Sequence, residues 1–265
     1  MATETFEDGS GMFPEERRAR LLRLVNQHGR LATDELAQLV GASLATVRRD
    51  TLALEREGKI RRTHGGVMSF DAASEDAPDE EPLFSEKRRA NLEAKKRIAA
   101  VAAELVPDHS TVIIDSGTTA LALAERLAGR NIMIITMDLK AAEAAARDST
   151  EVWLLGGRVR NGLFSLVGAW ADTMLRGIHA DIFFLSADAI DAEAVTNSTV
   201  DEAELKKVAL ARAKKRIVIA DHTKFNHRKL VSVCPLDSID ILVTDEPTRA
   251  IVAPYESRFA QILYA

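Results

Sequence analysis

The chain has 265 residues, 46% of them hydrophobic, enough for two domains of ordinary size with filled cores. Taken whole, its formal net charge of −5 argues against a nucleic-acid partner, and its single cysteine, Cys234, excludes an internal disulfide and a Cys-pair zinc finger. No apolar run reaches about 18 residues, so no membrane span is expected; the acidic opening MATETFEDGSG does not read as a signal peptide, and the expected location is the cytoplasm.

Residues 1–13 read as a disordered tail. Pro14 suits the first turn of a helix, with Glu15 and Glu16 at its start, Leu21, Leu22 and Val25 as its buried stripe and Gly29 at its end. Thr33 reads as the cap of a short helix with Leu36, Leu39 and Val40 on its apolar face, and Gly41 turns the chain. Ser43 caps a second helix that runs to about Glu57 and stops at Gly58. In it Leu44, Val47, Thr51 and Leu54 share one side, while Ala45, Thr46 and Arg49 point the other way and Arg48 sits on the flank. Ile60 to Ser69 reads as two short strands turned at Gly65-Gly66, with Lys59, Arg61, Arg62 and His64 making them basic. Two capped helices, a tight turn and a basic hairpin form a winged helix-turn-helix, a unit that places its second helix in a DNA major groove. The charge distribution agrees. Glu15 to Phe70 holds 11 Lys and Arg against 7 Asp and Glu, a net of +4, so the remainder carries −9. The candidate DNA-binding residues are Thr33, Ser43, Ala45, Thr46, Arg48, Arg49, Arg61, Arg62 and His64. Arginines bond guanine edges or phosphates, and the methyl groups of Ala and Thr meet thymine.

Asp71 to Pro82, DAASEDAPDEEP, has six acids, two prolines and little apolar content, and reads as a linker. The expected organisation is a tail at 1–13, a DNA-binding domain at 14–70, an acidic linker at 71–83 and an α/β domain at 84–265. Phe84 to about Leu105 reads as one long helix. From Thr111 onward, short apolar runs (TVIID, IMIIT, EVWLLGG, DIFFLSAD, RIVIAD, ILVTD) alternate with helical patterns, which predicts a mostly parallel sheet with helices on its faces. Polar residues sit at or just beyond the carboxyl ends of these runs, where open α/β sheets bind ligands. The candidate pocket residues are Asp115, Ser116, Gly117, Thr118, Thr119, Gly156, Gly157, Asp188, Glu204, Lys206, Asp221 and Lys224. Backbone N–H groups and hydroxyls at 116–119 suit an anion, Lys206 or Lys224 can pair with a phosphate, and carboxylates can hold sugar hydroxyls. A bland alternative stands beside this: strand-end acids also act as helix caps, and 115–119 also reads as an ordinary strand-to-helix turn.

Several stretches resemble the DeoR family of bacterial transcriptional regulators. These are Thr46-Val47-Arg48-Arg49-Asp50, Gly58 to Gly66 (GKIRRTHGG), Asp115-Ser116-Gly117-Thr118-Thr119, Leu155-Gly156-Gly157 and Asp221-His222-Thr223-Lys224-Phe225, in the family's order. The resemblance implies a ribose-5-phosphate-isomerase-like sensor domain behind the winged helix-turn-helix. It also implies a repressor of a carbohydrate-catabolism operon acting on double-stranded operator DNA as a homodimer or homotetramer, and modulated by a phosphorylated sugar. No catalytic residue, metal or cofactor is expected. The chain departs from the family pattern at Thr51, Ala42-Ser43, Thr136-Met137 and Ser186-Ala187-Asp188-Ala189. An active sugar-phosphate isomerase with an appended DNA-binding domain is the alternative, and a purely architectural DNA binder leaves the α/β domain without a role.

Overall fold

The computed structural model describes residues 13–28, 30–57, 59–63, 66–69, 82, 84–147 and 149–265. The tail before Phe13, Gly29, Gly58, His64, Gly65 and the acidic stretch at 71–81 lie outside the described residues. The chain divides into two compact units, Met1–Glu80 and Glu81–Ala265.

The first unit runs α1 (Pro14–His28), β1 (Arg30–Ala32), α2 (Thr33–Val40), α3 (Leu44–Arg56), β2 (Ile60–Thr63) and β3 (Gly66–Ser69). Its core joins Leu21 and Val25 from α1, Leu36 and Val40 from α2, Val47 and Leu54 from α3, and Ile60 and Val67 from the wing. Each fully buried aliphatic chain contributes roughly 1.5–3 kcal/mol. Two expectations shift. Thr33 is the first residue of α2 rather than its cap; the cap position is Ala32, whose N–H donates to Glu35 Oε2 at 2.9 Å. Leu44 is exposed, because the first turn of α3 projects beyond the core that holds Val47 and Leu54. The Ser43 cap is present, its hydroxyl accepting from the Thr46 N–H at 3.2 Å, and Gly41 takes the left-handed conformation with φ +65°.

β1 has no counterpart in the sequence reading. It pairs antiparallel with β3, which also pairs with β2, so the wing is the far part of a three-stranded sheet. At this crossing a Cβ on Gly66 would lie 2.7 Å from the Leu31 carbonyl oxygen. Backbone cannot yield cheaply, so Gly66→Ala is expected to cost about 1–3 kcal/mol of stability in this unit. Urea unfolding followed by far-UV circular dichroism checks this, and an unchanged midpoint would refute the close approach.

The second unit opens with α4 (Phe84–Arg89) and α5 (Leu92–Glu104), where the sequence reads a single helix. The break is at Asn91, which takes the left-handed conformation with φ +52°. Asn tolerates that region because its short polar side chain bonds locally. Then come β4 (Thr111–Ile114), α6 (Thr118–Leu127), β5 (Met133–Thr136), α7 (Leu139–Ala145) and β6 (Glu151–Leu154). A small hairpin, β7 (Arg158–Val159) and β8 (Leu166–Val167), leads to α8 (Ala169–Arg176) and β9 (Ala180–Ser186). β10 (Ala189–Ile190), β11 (Ala194–Asn197), α9 (Val200–Arg212), β12 (Ala213–Ile219) and β13 (Val231–Pro235) follow, and β14 (Ile241–Thr244), α10 (Thr248–Val252) and β15 (Ile262–Tyr264) close the chain.

Seven strands form one parallel sheet in the order β15-β14-β12-β9-β4-β5-β6. Alternate side chains enter two cores. Ile113, Phe183, Leu185, Val218 and Leu242 pack with α8 and α9. Val112, Ile114, Phe184, Ile217, Ile219 and Val243 pack with α5 and α6. Burial on both faces explains why these strands read as continuous apolar runs rather than alternating ones. From β4 the chain winds outward to β5 and β6, then returns to β4's other side with β9 and continues through β12. The order reverses between β4 and β9, and a crevice opens outside the carboxyl ends of strands at such a point. Both tryptophans are largely exposed, Trp170 at 77% and Trp153 at 46%.

Candidate functional site

In the first unit Ala45, Arg48 and Arg49 are exposed on α3 and Thr46 is half-buried. Thr46 Oγ1 lies 2.9 Å from Ser43 Oγ, which orients the first turn of the helix. The acid that follows the two arginines faces inward. Asp50 is buried and pairs with Arg17 Nε at 2.6 Å and Arg18 Nε at 3.6 Å, fastening α3 to α1. Arg17 and Arg18 therefore have a structural partner, and Arg48 and Arg49 are left to face outward. In the wing, Arg62 lies 3.8 Å from Glu55, and Lys59 pairs with Glu57 at 2.8 Å. The backbone of Arg61 lies in β2, and His64 is outside the described residues.

In the second unit a cleft opens at the carboxyl ends of the strands, beside the β4/β9 reversal. Ser116, Gly117, Thr118 and Thr119 line it from the β4–α6 turn, Asp188 from beyond β9, Lys206 from α9 and Lys224 from beyond β12. Ser186 also lines it; Phe84 and Lys87 of α4, Ser165 and Glu202 line it too and are not foreseen from sequence. The remaining expected residues lie elsewhere. Asp115 is fully buried beneath the cleft. Asp221 caps the 3-10 turn His222–Lys224, accepting the Thr223 N–H at 3.0 Å. Glu204 is exposed and pairs with Lys207 at 2.8 Å. Gly156 and Gly157 serve packing: the Gly156 N–H meets Met174 Sδ at 3.2 Å, and a Cβ on Gly157 would lie 2.7 Å from the Val167 carbonyl oxygen.

The floor of the cleft is a charged cluster. Lys206, 4% exposed, bonds Asn197 Oδ1 at 2.7 Å and the Ser186 carbonyl at 3.0 Å, and lies 3.2 Å from Asp115 Oδ2. Those three contacts engage all three N–H donors of its ammonium. Asp115 also accepts the Ser116 and Ser186 N–H groups at 2.8 and 2.9 Å. Burial pushes its carboxyl up to about 6, against the opposing pull of Lys206 and the two amides. Burial also acts on Lys206, but the carboxylates of Asp115, Asp188 and Glu202 outweigh it and hold the ammonium charged. On Asp188 burial is outweighed by Lys206, Lys87 and the Ser198 amide, and its carboxyl falls well below the ordinary range. Glu202 is likewise held below its ordinary value, burial being overcome by Lys206, the Ser165 hydroxyl at 2.6 Å and Arg160.

The rim suits an anion. Gly117, with φ +119°, caps α6 with no side-chain hydrogen bond to the helix start. The Ser116 and Gly117 N–H groups are engaged by Asp115 and Asp138, the latter at 3.0 Å. The open N–H groups of the first turn are therefore those after Gly117, at Thr118 and Thr119, beside the two threonine hydroxyls. Lys87 and Lys224 stand on the same rim, and Lys87 Nζ lies 3.6 Å from Asp188. Lys224 is placed by a turn fixed from both sides: Asp221 caps it, and Asp245 accepts the His222 N–H at 2.7 Å and lies 2.5 Å from His222 Nδ1.

Residues 17–73 match the family model of the DeoR-like helix-turn-helix domain, and residues 90–246 match that of the DeoR C-terminal sensor domain. The transcriptional regulator GolR of Listeria innocua is 34% identical over 237 residues, which span 88% of this chain and 91% of that protein. The chain belongs to the DeoR family of transcriptional regulators. The lactose phosphotransferase system repressor of Staphylococcus aureus, another relative of this DeoR protein, is 32% identical over 233 residues, 87% of this chain and 91% of the repressor. Ribose 5-phosphate isomerase A of Methanocaldococcus jannaschii superposes with a TM-score of 0.38 at 18% identity, over 51% of this chain and 55% of the enzyme. Among the described residues of the DeoR chain, no helix is long and apolar enough to cross a membrane.

Proposed function

We propose that this DeoR-family regulator is a repressor of a carbohydrate operon, and that a phosphorylated sugar bound at the β4/β9 reversal sets its hold on double-stranded DNA. The observation that carries the reading is the polarity of the cleft. Its rim offers the open N–H groups at Thr118 and Thr119 with Lys87 and Lys224, and its floor offers Asp188 and Glu202. A phosphate at the rim and hydroxyls at the floor would satisfy both ends of one small molecule. The outward face of α3 supports the other half of the reading, with Ala45, Thr46, Arg48 and Arg49 for base edges and Arg61, Arg62 and His64 of the wing for phosphates. The names of GolR and the lactose repressor support transcriptional control, and that of the lactose repressor supports a sugar context. A homodimer or homotetramer would set two recognition helices on repeated half-sites. The effector acts on DNA affinity only through its different affinities for the two arrangements of the protein.

Lys224→Ala tests the pocket. A charge-assisted bond contributes roughly 1.5–3 kcal/mol, so affinity for the effector found in a sugar-phosphate panel should fall about 10- to 150-fold. Operator binding should persist, because the DNA-reading residues belong to the other unit. Calorimetry and a mobility-shift titration on the same variant check both, and wild-type values in each would place Lys224 outside the site.

A further inference from the structure

One wall of the cleft rests on a very short helix. α4 has six residues, too few to hold helical form alone, yet it supplies Phe84 and Lys87 to the lining. Its amino end is fixed by the Phe84 N–H, which donates to the Gly162 carbonyl at 3.0 Å, and by the Phe84 ring, which packs edge-on against Phe164 at 5.4 Å. At its other end the last carbonyls have no partner within the helix. Lys95 meets them. It stands in α5, is 4% exposed, and reaches back across the Ala90–Asn91 turn. Its ammonium donates to the Lys87 carbonyl at 2.5 Å and the Ala90 carbonyl at 2.6 Å. The Thr118 hydroxyl, itself on the anion rim, donates to the same Lys87 carbonyl at 3.4 Å.

We infer that Lys95 is a positioning residue for effector binding, a buried cation that clamps the carboxyl end of α4 so that Lys87 and Phe84 stay on the cleft. It lines no part of the cleft and acts through α4. The inference rests on the reading of the cleft as an effector site. A cation is the right group here, since helix carboxyl ends favour positive charge and charge-assisted bonds are the stronger ones. The charge is also conditional. Burial pulls Lys95 down from 10.5 to about 8; Asp221, beyond β12, opposes the fall, while Lys224 and Lys87 add to it. Lys95 is thus about nine-tenths charged at pH 7 and about one-tenth at pH 9. Apparent affinity scales with the competent fraction, so anion binding should weaken by up to about tenfold across that interval. Stability moves the other way. The folded value lies below the unfolded one, so between about pH 8 and 10.5 the unfolded chain binds more protons, and this group's contribution to stability rises with pH. Loss of a nearby positive charge would by itself weaken anion binding, so loosening of α4 is the readout that distinguishes the clamp.

The test uses the full chain and sulfate, an anion that stays fully ionised over the whole interval. Calorimetric titrations at pH 7 and pH 9 compare wild type, Lys95→Arg and Lys95→Met, and hydrogen exchange of the α4 amides is followed without sulfate. Wild type should weaken with pH, Lys95→Arg should stay flat, and Lys95→Met should bind weakly and exchange fast at both values. Exchange in Lys95→Met matching wild type at pH 7, or a pH dependence that survives in both variants, overturns the clamp. If sulfate does not bind but α4 exchange still steps with pH in wild type and not in Lys95→Arg, the clamp stands and the pocket reading fails.

Discussion

Lys206→Met should lower the stability of the sensor unit by about 3–5 kcal/mol, the usual cost of removing one partner from a buried ionic cluster. The methionine fills the space of the aliphatic stem but leaves Asp115, Asp188 and Glu202 without their shared cation, and strands Asn197 Oδ1 and the Ser186 carbonyl. The defect should depend on pH. The Asp115 carboxyl sits at about 6 in the fold against 3.8 ordinarily. Its contribution is therefore fully present below the unfolded value and is lost as pH rises through the folded one. Without Lys206 the folded value climbs further, so the variant should be less impaired at pH 5 than at pH 8. The double variant Lys206→Met/Asp115→Asn should recover part of the loss, since it removes one stranded charge. Urea unfolding at the two pH values measures all of this, and a loss under about 1 kcal/mol at pH 8 would show that the cluster does not depend on Lys206.

Operator binding should collapse with salt even though the chain as a whole is acidic. Each phosphate neutralised adds about −0.9 to the slope of log K against log salt. In the homodimer proposed above, Arg48, Arg49, Arg61 and Arg62 would supply candidates from each copy, roughly six to ten contacts with backbone donors included. That number corresponds to a loss of about 10³–10⁵ in affinity between 50 and 200 mM salt. Arg49→Ala should cost about 1–3 kcal/mol and relax specificity at one base if the side chain reads an edge, or weaken all sequences alike if it holds phosphate. A salt titration without a slope would remove the arginine–phosphate interface altogether.

Much of this architecture is legible in the sequence because its physics is local. Gly41 and Ser43 announce the turn and the cap, and strands buried on both faces print as unbroken apolar runs. β1 is not legible: Arg30-Leu31-Ala32 becomes a strand only because β3 offers it an edge. The break in the Phe84–Leu105 stretch has no Pro or Gly to mark it, and Asn91 is a faint sign of a left-handed turn. On α9 a signal was available. Glu202 and Lys206 are four apart and share a face, whereas Glu204 is two from Lys206 and lies on another. Phe84, Lys87 and Ser165 reach the cleft from distant segments, and nothing in their neighbours in sequence foretells it. The β15 strand is likewise set by a tertiary edge, that of β14.

The exposed Trp153 and Trp170 have a practical counterpart in what the other unit lacks. All four Trp and Tyr residues, at 153, 170, 255 and 264, follow Glu81, and none lies in the DNA-reading unit. The molecule is thus optically one-sided. Tryptophan emission sees only the sensor, whereas far-UV circular dichroism sees both halves. A variant whose winged unit has melted would keep a native emission spectrum. Unfolding curves recorded with the two probes should separate wherever the halves melt independently, giving each unit its own stability without cutting the chain or adding a label.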